Sequence, residues 1–314
     1  MYKFILLLFI LATPFAKAAK EEVPYWIGYP ETEDTVLTDY YFKTEFKLKD
    51  SIESAPLKIA ATGRLQFWVN NYFVIYDGDP SASVDDPHVF VTDIRKFLIE
   101  GKNALTVCLT PDSPHDFENN KLAISLKINN DILVYSNKEF ECYRQKANNY
   151  ATEAVGGKTY ITFAFDAQKN IVGNWHQAGF EAKKFSPEKW QEPEEGKIFN
   201  EKDISTTYIP KPISRTYDVT NISFPQTVKP GDKVTVEFPA EKKLMLEAGF
   251  ESVKDKTVYI YTPQMAQTGI KYSYKTTFGG QSFFFPVLME TDKLIFEFNA
   301  PMKFIGVTYR IMNE

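Results

Sequence analysis

The chain has 314 residues, a formal net charge of −5, 44% hydrophobic residues and two cysteines. This length allows two domains of ordinary size, and the hydrophobic share is that of a globular protein. The acidic, evenly mixed charge excludes the basic stripe that nucleic-acid binding needs, and it offers no polybasic attraction to anionic lipid.

The first residues read as a secretory leader. Lys3 supplies the positive start, Phe4–Ala12 the apolar centre and Ala16-Lys17-Ala18 a small-residue cleavage site. The apolar run is far shorter than the roughly 20 residues that span a bilayer. Residues 1–18 are therefore expected to be removed, and the mature chain to be exported, periplasmic or extracellular, and soluble. Removal takes Lys3 and Lys17 and no acid, so the mature chain is two charges more negative.

Short alternating strands separated by Gly, Pro, Asn and Asp then recur, the pattern of all-β sandwiches. In the first half the spacing predicts strands at Tyr40–Leu48, Leu57–Ala61, Leu65–Val69, Phe73–Tyr76, His88–Val91, Ala104–Leu109, Leu122–Ile128 and Ile132–Tyr135. Asn70-Asn71 lies between two of them and suits a tight hairpin needing positive φ. A short helical segment follows Ile94, and Asn129-Asn130-Asp131 makes another turn. From about Cys142 to Pro212 the pattern loosens. Gly156-Gly157, the acidic loop Glu192–Glu195 and Pro210 and Pro212 mark a connector with one or two further strands, such as Thr159–Phe165. The second half predicts strands at Thr216–Phe224, Lys233–Phe238, Thr257–Tyr261, Ile270–Thr276, Gln281–Pro286, Lys293–Phe298 and Phe304–Ile311, with a turn at Pro230-Gly231-Asp232. The expected organisation is a leader at 1–18, a galactose-binding-like β-sandwich at 19–145, an irregular connector at 146–212 packed on it, and a second jelly-roll-type β-sandwich at 213–314.

Chemistry-bearing motifs are few. His88, His115 and His176 form no close metal-ligand pairing, and no nucleophile elbow is present. Cys108 and Cys142 could pair in an oxidising compartment, although nothing in their spacing demands it, and they otherwise read as buried thiols. The loop from Asp77 through Asp79 to Asp85, Asp86 and His88 has enough carboxylates for a structural calcium. As an EF-hand it fails, because Ala82 stands at the glycine position and His88 at the final glutamate, so it reads as a solvated loop and no cofactor is assigned. Trp175-His176 is the leading ligand-facing pair, since a tryptophan can stack on a pyranose while neighbouring polar groups bond its hydroxyls. The competing reading of Trp175 is a packing anchor between domains, and Trp26 and Trp68 read as structural. Trp175, His176, Asp77, Asp79 and His88 are the candidate carbohydrate-binding residues.

Several motifs in consistent order carry a family resemblance. They are Val23–Ile27; the block from Leu57 to Thr110; Asp131–Tyr135 followed by Ser136-Asn137-Lys138-Glu139-Phe140-Glu141-Cys142; Gly173-Asn174-Trp175-His176-Gln177-Ala178-Gly179-Phe180 with Trp190; and the proline-bracketed Tyr208–Ile213. This order resembles the β-domains that precede the catalytic barrel in α-L-rhamnosidases, glycoside hydrolase family 78. Phe140 stands where the family pattern has tryptophan, and Glu181-Ala182 replace its acidic pair. By this resemblance the helical barrel holding the acid and base carboxylates would begin near Glu314. An inverting glycosidase needs two carboxyls about 6.5–9.5 Å apart across its sugar. The resemblance thus implies a non-catalytic accessory protein that binds glycan, rhamnose-containing glycan included, or docks on a protein carrying the catalytic domain. The alternatives are one part of a split or truncated hydrolase and a structural cell-surface scaffold.

Overall fold

The computed structural model of the chain describes residues 23–30, 37–49, 52–77, 83–110, 120–129, 131–171, 175–200, 206–208, 220–239, 243–286 and 289–312. The expected leader 1–18, Asp79, His115 and the segment 209–213 lie outside these residues. In the first half the strands are β1 (Tyr25–Gly28), β2 (Leu37–Leu48), β3 (Pro56–Ala61), β4 (Arg64–Val69), β5 (Tyr72–Asp77), β6 (His88–Asp93), β7 (Gly101–Thr110), β8 (Lys121–Ile128) and β9 (Asp131–Tyr135). A 3-10 turn at Arg95–Phe97 follows β6. Next come β10 (Glu141–Val155), β11 (Lys158–Asp166), the helical turn α1 (Ala182–Phe185), β12 (Glu194–Ile198) and β13 (Thr206–Tyr208). The second half holds β14 (Thr220–Val228), β15 (Lys233–Glu237), β16 (Lys243–Ser252), β17 (Thr257–Tyr261), α2 (Pro263–Thr268), β18 (Tyr272–Lys275), β19 (Gly279–Phe284), β20 (Met289–Glu290), β21 (Lys293–Phe298) and β22 (Met302–Met312). The protein is all-β.

Three sheets build two sandwiches. The first sheet runs β12-β1-β8-β3-β6-β13, with β9 beside β8. The second is continuous through ten strands, β15-β21-β17-β18-β11-β10-β2-β7-β4-β5, and the third runs β14-β22-β16-β19 with β20 beside β16. The long sheet serves both sandwiches, one on each face. Phe42, Cys142, Leu65 and Phe67 point from one face into a core shared with the first sheet. Tyr150, Phe163, Phe165, Tyr274, Ile260 and Phe296 are in register on the other face and meet Leu246, Phe250, Phe283 and Phe304 of the third sheet. Because side chains alternate along a strand, one sheet can carry two cores in this way.

Turn chemistry sets the hairpins. Asn70 and Asn71 take φ of 49° and 69°, and Gly156 and Gly157 take 61° and 79°. Both pairs provide the left-handed turn that matches strand twist. Gly156-Gly157 thus closes the β10–β11 hairpin, and that hairpin carries the long sheet across by parallel pairing of β11 with β18. The acidic run at Glu192–Glu195 was expected as a loop. Instead Glu194 and Glu195 begin edge strand β12, whose backbone pairs with Gly28 and Ile27.

The thiols are fixed by the same alternation. Cys108 pairs in register with Tyr41, and Cys142 with Phe42, the next residue of β2. They therefore lie on opposite faces of the sheet, and both are buried and free. Burial pushes the Cys142 thiol up to about 12, and the Cys108 thiol is also raised, by burial first and then by the neighbouring Asp39. Thiol titration of the unfolded protein should count two free cysteines, with slow reaction in the native state. Reductant should leave the melting temperature unchanged; a fall on reduction would show a disulfide and refute the opposite-face placement.

Candidate functional site

The face of the long sheet that the first core does not use carries a mixed row of side chains. Gln66 and Trp68 of β4, Thr106 and Cys108 of β7, Asp39, Tyr41 and Lys43 of β2, and Tyr143 and Gln145 of β10 share it by register. Asn70 braces this corner. Its side chain accepts from Ala104 N at 2.9 Å and donates to Phe97 O at 2.9 Å and Asn103 Oδ1 at 2.7 Å. The turn between Trp68 and Phe73 is therefore held from the neighbouring loop.

The segment from Trp175 to Trp190 lies across this row. Lys43, only 4% exposed, donates to the carbonyls of Gln177 and Phe180 at 3.2 and 3.1 Å and pairs with Glu45 at 3.0 Å. Gly179, at φ 77°, gives its N–H to Glu45 Oε1. So pinned, the segment stacks its rings on the sheet. Trp175 lies 4.3 Å from Tyr41 at 9° between planes, His176 lies 4.1 Å from Trp68 at 23°, and Trp190 lies 5.2 Å from Tyr143. Trp190 Nε1 donates to Ser186 Oγ. His176 Nδ1 and Thr106 Oγ1 share a 3.1 Å hydrogen bond. Burial, helped by the positive charge of Lys43, holds the His176 imidazole down to about 3, so it is neutral at ordinary pH.

A cleft of about 920 Å³ opens between this surface and the third sheet. One wall is Trp68, Tyr72, Phe73 and His176, with Gln66 and Asn71 among them. The facing wall comes from the side of the third sheet turned away from its core: Met245, Glu247, Ser282, Phe284, Thr308 and Arg310. Phe73 and Phe284 meet across it at 6.5 Å. Tyr72 and Phe284 remain 45% and 38% exposed, so the cleft presents open aromatic surface beside amide, hydroxyl and charged groups.

The cleft also reaches Asp39, which is almost fully buried. Its carboxyl accepts from Thr110 Oγ1 at 2.9 Å, Tyr150 Oη at 2.8 Å and Asn148 Nδ2. Burial raises its pKa above the usual carboxylate range, partly opposed by these three donors. Asn148 Oδ1 is buried with no partner of its own. With the amide turned over, it would accept from the protonated form of Asp39. Both oxygens of Asp39 are thus engaged, which suits a structural buttress better than proton transfer to a ligand.

Of the five residues singled out in the sequence, Trp175 and His176 lie together at the cleft, with Trp175 only 7% exposed beneath the rim. His88 is in β6 of the first sheet, across the first core, paired in parallel with Thr206. Asp77 ends β5 opposite Leu65, and Asp79 is outside the described residues. Among the described residues no three His, Cys, Asp or Glu side chains gather as a metal site would. The sequence reads Trp68 as structural and does not single out Phe73, Phe284, Glu247 or Arg310. Trp68 had a usable signal: it alternates with Leu65, Phe67 and Val69 and shares its side of β4 with Arg64 and Gln66.

No family model matches the sequence, and no curated protein matches it. Solved structures do. The α-L-rhamnosidase of Aspergillus terreus superimposes with a TM-score of 0.58 at 16% identity, over 90% of this chain and 36% of that one. The α-L-rhamnosidase of Dictyoglumus thermophilum gives 0.53 at 15%, over 92% and 35%. That of Streptomyces avermitilis, complexed with L-rhamnose, gives 0.53 at 15%, over 86% and 29%. The resemblance read in the sequence therefore holds at the level of the fold. The chain spans about a third of the length of these enzymes.

Proposed function

We propose that this chain is an exported, non-catalytic carbohydrate-binding or accessory protein built on rhamnosidase-type β-domains, and that its sugar site is the cleft between the sheets. The observation that carries this reading is the pre-built pair of aromatic walls, Trp68, Tyr72 and Phe73 facing Phe284, with polar groups between them. A concave surface that sets aromatic rings beside convergent hydrogen-bonding groups is a usual form of a small-molecule site. Export rests on the leader-like residues 1–18. Among the described residues no helix is long and apolar enough to cross a membrane.

A glycan array probed with the mature protein tests the reading. A specific hit is expected, and Trp68→Ala should weaken it about 30-fold, the size of a binding hot spot of about 2 kcal/mol. Phe284→Ala should weaken it as well, with little change in melting temperature because that ring is on the surface. A flat array from folded protein, or a hit indifferent to both substitutions, refutes the cleft and favours a scaffold. A second reading, a split glycoside hydrolase, is favoured by the chain matching only a third of each rhamnosidase. In that case cleavage of an aryl-rhamnoside appears only when a separate catalytic domain is added.

A further inference from the structure

Resting on the glycan reading of the cleft, we infer that the sugar it takes is acidic, with the ligand's carboxylate held by Arg310. Arg310 projects from β22 beside Met245 of β16, on the wall that faces Trp68 and Phe73. Among the described residues it is the only Lys or Arg lining the cleft, and its side chain is half-buried. Among the described residues it has no hydrogen bond, ion pair or aromatic partner. Other basic side chains of the second half are engaged by acids: Lys303 with Glu251, Lys293 with Glu237, Lys271 with Glu297.

The nearest acid by register is Glu247. It pairs with Thr308, so it stands diagonally from Arg310 on the same face. The diagonal is within reach of long side chains, yet the two form no ion pair. A half-buried guanidinium with no ion pair, set beside the rings of the cleft, is open to an anion, and its planar fork fits the two oxygens of a carboxylate. Thr308 and Ser282 add hydroxyls on the same wall, and Phe284 lies between them and the opposite rings. A uronic acid unit has the complementary parts: a ring face for the aromatics, hydroxyls for Gln66 and Ser282, and one carboxylate for Arg310. Glu247 accepts hydroxyls on its other side and fixes the orientation by repelling the carboxylate from its own position.

The test compares oligogalacturonates and oligoglucuronates with the same oligomers after their carboxyls have been reduced to alcohols, by titration calorimetry on the full mature chain. The acidic forms should bind at least tenfold tighter, and this preference should shrink as salt rises. Arg310→Gln should bring acidic and reduced forms within about twofold, Arg310→Lys should keep part of the preference, and Glu247→Gln should tighten the acidic forms. Melting temperatures confirm that each variant folds. Equal binding of acidic and reduced oligomers, or a preference that survives Arg310→Gln, overturns the inference and leaves the glycan reading standing. Binding of neither set, with a neutral array hit that is lost in Trp68→Ala, also overturns the inference alone. Binding of neither set with a flat array overturns both.

Discussion

Replacing Asp39 by alanine is expected to cost about 3–5 kcal/mol of folding free energy. The substitution strands Thr110 Oγ1, Tyr150 Oη and Asn148 Nδ2, three donors buried at the junction of β2, β7 and β10. Each buried donor left unpaired costs about 1–3 kcal/mol, and the removed desolvation of the carboxyl offsets part of the sum. Urea denaturation would show the loss as a lower midpoint; a midpoint shift worth under about 1 kcal/mol would mean that the network is not structural. Asparagine is the informative comparison. Its oxygen still accepts from Thr110 and Tyr150, and its amide can donate to Asn148 Oδ1, so the fold should survive.

The two proteins should differ in their response to pH. Burial lifts the Asp39 carboxyl above its usual range, so the folded state holds that proton more tightly than the unfolded state does. The stability this provides is complete below the ordinary carboxylate pKa and is lost as pH rises through the raised value. Asp39→Asn has no such proton to lose. The free-energy difference between variant and wild type should therefore move in the variant's favour across that window and level off above it. A constant difference from pH 3 to 8 would refute the assignment.

The Trp175→Ala substitution is the second large effect, about 3–5 kcal/mol of destabilisation. Trp175 is 7% exposed, stacks on Tyr41, and lies 6.0 Å from Trp190 and 6.1 Å from Trp68. Removing it uncovers the ring of Tyr41, on which it stacks, and opens the buried cluster that Tyr143, Ile171, Cys108 and Trp190 complete. Thermal unfolding and near-UV circular dichroism would both register the change, whereas Trp175→Phe should retain most of the stability. A melting temperature within two or three degrees of wild type for the alanine variant would show that the ring is dispensable. Loss of ligand in Trp175→Ala would thus be hard to separate from loss of structure. Phe284, on the open side of the cleft, is the cleaner probe.

Local chemistry made much of the first sandwich legible. Asn70-Asn71 and the alternation on either side of it set β4 and β5, and the two strands at Thr257–Tyr261 and Lys293–Phe298 match their expected ends. Strand β16 was not anticipated, because Leu244-Met245-Leu246-Glu247-Ala248 are good helix formers. Tertiary pairing overrides that preference, since the segment is bonded to β22 on one side and β19 on the other. In β10 the alternation fails between Gln145 and Tyr150, where the register with β2 shifts and Asn148 turns towards Asp39. The cleft itself was out of reach. Trp68 and Arg310 are far apart in the chain, and only the sheet pairings bring their walls together. Trp175 and His176 could be singled out as unusual, but not the stack of Tyr41 and Trp68 beneath them.

The unbroken ten-stranded sheet has a consequence for any attempt to shorten the protein. A cut between β11 and β18 would leave both strands as raw edges, each a row of unpaired backbone groups open to any other chain. It would also strip Phe163 and Phe165 from the core they share with Tyr272 and Tyr274. Neither half is then a detachable part that could be expressed, shuffled or fused by itself. Proteolysis at the junction should yield sticky, self-associating fragments in place of two well-behaved ones.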